Sequence, residues 1–136
     1  MLFKNIIIYC LTTNYMNFSG RASRTEFWFF ALFLLLVYGV GFPILEFIGA
    51  IIPGGIILVG IIMVGVSVAL ILPSLAVQIR RLHDVDWSGW WILVSLTFLG
   101  SIFIFILNCL PGTAGYNRFG PNPASGRPPL PRSGSY

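Results

Sequence analysis

Three long stretches of this 136-residue chain carry no charged side chain, and that absence constrains the fold more than any motif does. They are residues 27–45 (FWFFALFLLLVYGVGFPIL), 54–77 (GGIILVGIIMVGVSVALILPSLAV) and 90–110 (WWILVSLTFLGSIFIFILNCL). Each is close to the length that crosses a bilayer, because a helix rises 1.5 Å per residue and about 20 residues span a ~30 Å hydrocarbon core. One Arg or Asp at the centre of such a helix would cost roughly 2.5–3.5 kcal/mol on insertion. A soluble amphipathic helix needs a wet face, and these stretches supply none. Charged residues make up 9% of the chain and hydrophobic ones 57%, where a soluble domain carries about 25% charge. Too little polar surface remains to coat a globule that buried all three segments. The expected fold class is all-α: a polytopic integral membrane helix bundle of about three transmembrane helices, at about 27–45, 54–79 and 90–110.

The flanking segments organise the rest. Residues 1–22 open with MLFKNIIIYCLTTNYMNF, too short an apolar run to span, and are expected to contain a short interfacial helix. Lys4 and the short run Ile6 to Leu11, without an A-x-A-like site, do not make a convincing signal peptide. The helical domain covers residues 23–111. Ser23 followed by Glu26 fits a capping box that would start the first long helix and gives Glu26 a structural role. Pro43 should kink that helix late, and Pro73 should bend the second before Arg80. Gly65, Ser67 and Ala69 would allow close helix approach, and Ser95, Thr97 and Ser101 could hydrogen-bond to a neighbouring helix. Cys10 and Cys109 have no metal or redox spacing, and Cys109 should pack as a small apolar residue. Residues 112–136 form a Gly- and Pro-rich polar tail, expected to be disordered after about 122. Its RPPLPR (127–132) is a chance-level match to polyproline ligands.

Charge placement gives an orientation. Lys4, Arg21 and Arg24 precede the first span, Arg80 and Arg81 follow the second, and Glu46 marks the loop between. The excess of basic residues in cytoplasmic loops then places the N-terminus in the cytoplasm. Three full crossings put Arg118 on the opposite side, against the same rule. A re-entrant last segment turning near Gly100 would remove the conflict, although backbone at that depth needs protein cover. Three crossings are the expectation, with an even number as the alternative.

Polar chemistry concentrates at Gln78, Arg80, Arg81, His83, Asp84, Asp86 and Ser88, closed by Trp87, Trp90 and Trp91. On a helix, Arg80 and Arg81 lie at i, i+4 and i, i+3 to Asp84, so ion pairs are expected. An interfacial knot accounts for these residues without catalysis. One His beside one Asp offers too few ligands for a closed zinc site, and no Ser or Cys is recognisably positioned as a nucleophile. No catalytic or metal residue and no cofactor are expected. The net charge of +4 is spread over several interfaces, which does not indicate nucleic acid. The expected partners are the bilayer and its anionic headgroups, with a homo-oligomer or other membrane proteins also compatible. Candidate headgroup contacts are Arg21, Arg24, Arg80, Arg81, His83, Asp84, Trp90 and Trp91, completed by Asn117 and Arg118 if the tail is cytoplasmic.

Three motifs, GRASRTEFWFF (20–30), QIRRLHDVDWSGWW (78–91) and PGTAGYNRFGPNP (111–123), resemble the bacterial inner-membrane family called domain of unknown function 805. Their order and spacing around the hydrophobic segments match over roughly residues 15–123, and RRLHD followed by SGWW is the specific combination. Val85-Asp86-Trp87 is the nearest departure from that pattern. The resemblance implies a bacterial inner-membrane protein, without a substrate, cofactor or reaction. Three functions fit: a non-enzymatic scaffold, subunit or regulator; a transporter or channel subunit; or a lipid-headgroup-binding protein or enzyme using the RRLHD cluster. Ionisable groups within spans usually mark a transport path, and these spans have none.

Overall fold

The structure is a computed structural model and describes residues 2–123; the tail beyond, with RPPLPR and the expected disorder, lies outside the described residues. Among the described residues the regular secondary structure is helical apart from one isolated β-bridge, Asn117 to Gly120. The elements are α1 (Leu2–Leu11), α2 (Arg24–Leu36), a π-helical turn (Val37–Gly41), α3 (Phe42–Ile51), α4 (Gly55–Asp84), a 3-10 helix (Gly89–Leu96) and α5 (Phe98–Cys109). They form two units: residues 2–18 with 25–77, and residues 19–24 with the chain from Gln78 onward.

In the first unit, α2, the π turn and α3 run on as one helical stretch from Arg24 to Ile51, and this stretch and α4 are long and apolar enough to cross a membrane. Only 6% and 17% of their most apolar windows are buried inside the chain, whereas the core helix of a soluble protein would be mostly covered. Ser23 stands immediately before α2, the position that an N-cap occupies. Proline explains both irregularities of these helices. Pro43 has no N–H, and its ring crowds the carbonyl four residues back. The backbone answers with a π turn in which the Phe42 N–H donates to the Val37 carbonyl. The chain therefore stays helical to Ile51 and carries Glu46 inside α3. Pro73 lies inside α4 and leaves the Ala69 carbonyl without its helical donor. The Tyr15 hydroxyl supplies the missing hydrogen bond at 2.5 Å. Tyr15→Phe should therefore lower stability by about 1 kcal/mol, read as a lower apparent Tm in detergent; an unchanged Tm would remove this role.

The short helix α1 packs on α2. Ile7 and Cys10, one turn apart, are buried with Phe30 and Val77 against Phe27 and Phe33, and Phe3 meets Phe29 edge-on at 5.6 Å. The Cys10 thiol also donates to Glu26 Oε1 at 3.7 Å. Neither cysteine forms a disulfide, and the packed one is Cys10; Cys109, expected to pack, is exposed at the end of α5. The small-residue face of α4 is open: a Cβ at Gly60 or Gly65 would meet nothing within 4 Å.

The second unit holds the third apolar segment, which is not one helix. The 3-10 helix ends at Leu96, Thr97 takes an extended conformation (φ −97°, ψ 150°) and α5 begins at Phe98. The two arms pack against each other. Trp87 meets Trp91 and Phe103 edge-on at 4.7 and 5.4 Å, above a core of Leu82, Ile104 and Leu107. Gly100 permits the close approach at the turn, because any Cβ there would collide with the Val94 carbonyl. The hydroxyls expected to reach a neighbouring helix stay within the hairpin. Ser95 donates to the Ile92 carbonyl at 2.5 Å, Thr97 to Val94 at 2.9 Å and Ser101 to Phe98 at 2.7 Å. Thr97 Oγ1 in turn accepts the Gly100 N–H at 3.1 Å, capping α5.

Candidate functional site

The second unit is organised around Asp84, the last residue of α4. Arg21, 63 positions earlier, donates Nε to Asp84 Oδ1 at 2.9 Å. Arg81, one turn back on α4, donates Nη1 to Asp84 Oδ2, so the i, i+3 pair expected from the spacing forms. All three are buried, at 8%, 0% and 3% exposure for Arg21, Arg81 and Asp84. A carboxylate between two guanidiniums leaves one positive charge in excess, and burying it is costly unless the remaining donors are satisfied. They are met by carbonyls. Arg21 donates to Gly115, Gly120 and Thr113 at 2.8, 3.3 and 2.7 Å. Arg81 donates to Asn108 at 3.3 and 3.2 Å and also to Leu110. A planar guanidinium fork suits this mixture of carboxylate and carbonyls, which a lysine ammonium could not reproduce.

The chain after α5 is fastened to the same point. Thr113 donates its N–H to the Asp84 carbonyl at 2.8 Å, and Gly112 lies so close that a Cβ would strike Asp84 Oδ2. Asn117 donates Nδ2 to the His83 carbonyl at 2.8 Å and to Thr113 Oγ1 at 2.9 Å. Phe119 stacks flat on the His83 ring at 3.8 Å. Gln78 and Asn108 exchange side-chain hydrogen bonds at 3.0 and 3.4 Å. Residues before α2 join as well, since Ala22 N–H donates to the Arg80 carbonyl at 2.9 Å.

Of the residues singled out in the sequence, Arg21, Arg81, His83, Asp84 and Asn117 therefore meet in one buried cap. Arg80 is also buried. Arg118 sits at its edge, paired with Asp86 Oδ1 at 3.2 Å, both side chains about half exposed; Asp86 holds a left-handed backbone (φ 63°), which Asp tolerates better than most residues. Arg24 is exposed and lines a cavity of about 180 Å³ with Ser23, Asp84, Gly112 and Asn122. Trp91 packs in the hairpin, whereas Trp90 is 78% exposed. Sequence reasoning missed Asn108, Thr113 and Phe119. The last two lie in the PGTAGYNRFG motif, whose spacing was the available signal. No group of three metal-ligating side chains is gathered among the described residues.

His83 adds a pH-sensitive element. It follows the uncharged stretch that ends at Val77, and α4 at 30 residues is longer than the ~20 that a bilayer core requires. Its Nδ1 faces the Gly20 carbonyl at 3.0 Å, which favours a hydrogen on Nδ1 in the neutral ring. Burial pushes its pKa below the ordinary 6.5, the Gly20 bond opposes this, and nearby Arg118 lowers it further. The unfolded chain then takes up the proton first. His83 should contribute its full stability above about pH 6.5 and lose it as pH falls through that value toward the lower folded pKa. Apparent Tm at pH 7.5 and 5.5 checks this: the wild type should lose more than His83→Gln, and equal losses would remove the role.

Two helices long and apolar enough to cross a membrane, with little internal cover, fit an integral membrane protein. The chain belongs to the family described as Protein of unknown function (DUF805), whose model matches residues 15–121. It is 42% identical over 111 residues to Inner membrane protein YhaH of Escherichia coli (strain K12), covering 81% of this chain and 89% of that protein. It is also 39% identical over 114 residues to Inner membrane protein YhaI of the same strain, covering 83% and 91%. No solved structure matches it.

Proposed function

We propose that this chain is a non-enzymatic scaffold, subunit or regulator of the bacterial inner membrane, crossing it twice and keeping both ends in the cytoplasm. The supporting observation is the closure of Arg21, Asp84 and Thr113 on one another. Arg21 precedes the first long helix, Asp84 ends the second, and Thr113 follows the apolar hairpin. Residues bonded to each other lie on one side of a bilayer, so the segment between Asp84 and Thr113 makes an excursion and returns. Three full crossings would separate these groups by a ~30 Å core. Two crossings also collect Arg21, Arg24, Arg80, Arg81 and Arg118 on the basic, cytoplasmic face. The membrane itself is supported by the names of the relatives.

The donors of Arg21 and Arg81 and both oxygens of Asp84 serve internal contacts, which favours a rigid platform over a reacting or ligand-binding cluster. Arg24, Trp90 and Arg118 are the candidate contacts that this platform presents outward. Two experiments test the reading. A topology reporter fused at residue 125 should read cytoplasmic, and a periplasmic signal overturns the two-crossing arrangement. In complementation of a deletion, Arg81 variants that lose the phenotype should also lose folded protein. An Arg81→Lys protein of normal amount and Tm that fails to complement would instead assign the cluster a direct chemical role.

A further inference from the structure

We propose that the hairpin of residues 89–109 is a re-entrant element seated among the acyl chains of the cytoplasmic leaflet, reaching about half the bilayer depth. This rests on the two-crossing reading and deepens it by naming what covers the hairpin. Four observations carry the assignment. First, no charged residue occurs from 87 to 117; Asp86 and Arg118 meet at the base, and Asp84 holds Thr113 there. Second, the arms match each other in length. Eight residues of 3-10 helix rise ~16 Å, and twelve of α-helix rise ~18 Å, against half of a ~30 Å core.

Third, the outer surface is apolar on both arms and most of all at the tip, where Leu96, Phe98 and Leu99 are 83%, 80% and 77% exposed. A protein partner would cover one face. Apolar side chains directed outward from Trp90 and Leu93 on one arm to Phe105 on the other fit a fluid apolar solvent that surrounds the element. Fourth, the turn is held by hydrogen bonds made within the hairpin. Ser95, Thr97 and Ser101 bond to hairpin carbonyls, and Thr97 Oγ1 takes the Gly100 N–H. Backbone at that depth needs protein cover, and the facing arm supplies part of it at the turn, where Gly100 sits against the Val94 carbonyl. Trp87, Trp90 and Trp91 lie near the base, the level at which interfacial tryptophans collect.

A depth profile tests the inference. In full-length protein with Cys109→Ser, single spin labels at Trp90→Cys, Leu93→Cys, Leu96→Cys, Phe98→Cys, Ile102→Cys and Ile106→Cys sample exposed positions of both arms. Collisions with oxygen and with a water-soluble nickel chelate, in vesicles of phosphatidylethanolamine and phosphatidylglycerol, report depth. A V-shaped profile is expected, deepest at residues 96–98 near ~15 Å and shallow at both ends. A profile that runs steadily from one face to the other would mean a full crossing and sink both this inference and the two-crossing reading. A tip open to the nickel chelate, with the reporter at residue 125 still cytoplasmic, would overturn the hairpin's lipid seat alone.

Discussion

Asp84→Asn is expected to remove roughly 3–5 kcal/mol of stability, the cost of leaving buried charges without their counter-ion. Two guanidiniums depend on this carboxylate, and both are shut away from water. The amide keeps the shape but accepts at one oxygen where the carboxylate accepted at two, and it carries no charge. Most of the protein should therefore fail to reach a folded, monodisperse state after extraction in mild detergent. Asp86→Asn is the matched control. Its partner Arg118 is 59% exposed and its own side chain 47% exposed, so the change should stay within about 1 kcal/mol. Asn also tolerates the left-handed backbone at this position. Fluorescence-detected size exclusion and apparent Tm distinguish the two; equal loss in both variants, or none at Asp84, would contradict the buried-cap account.

Gly100→Ala should open the hairpin. The added carbon would collide with the Val94 carbonyl and lie 2.7 Å from Thr97 Oγ1, and neither group can withdraw without undoing the turn. Overpacking of this kind costs roughly 1–3 kcal/mol. The change should also part Trp87 and Trp91 from Phe103, which tryptophan emission reports directly. Gly65→Ala is the comparison: it too is a helical glycine, but its added carbon would meet nothing within 4 Å. There the substitution should be neutral or stabilising by up to about 1 kcal/mol, because alanine is the better helix former. Should Gly100→Ala behave like Gly65→Ala, the tight turn is not a feature of the protein in its membrane.

Several parts of this arrangement are legible in the residues themselves. Missing charge marks the apolar segments, because each buried ion in hydrocarbon costs kilocalories wherever the chain goes afterwards. Ser23 before α2 and Arg81 one turn from Asp84 are local relations, fixed by helix geometry once the helix exists. The prolines announce irregularities, but not their form. Pro43 is absorbed by a π turn, and Pro73 is repaired by Tyr15, a residue more than fifty positions away.

The third segment shows where sequence stops deciding. Hydropathy sums over residues and takes no account of backbone direction, so WWILVSLTFLGSIFIFILNCL reads as a span whether it crosses or folds back. The fold-back at Thr97 comes from contacts across the turn: Gly100 against Val94, and Phe103 against the tryptophans. Arginine fates are equally undetermined by position, since a guanidinium near a membrane end serves a lipid phosphate or a backbone carbonyl with the same donors. The sequence by itself therefore determined that this is a helical membrane protein, because the cost of burying charge is a property of single residues. Only the tertiary structure decided that the last apolar segment returns to Asp84 and that Arg21 and Arg81 turn inward, because both depend on hydrogen-bond partners brought together from distant parts of the chain.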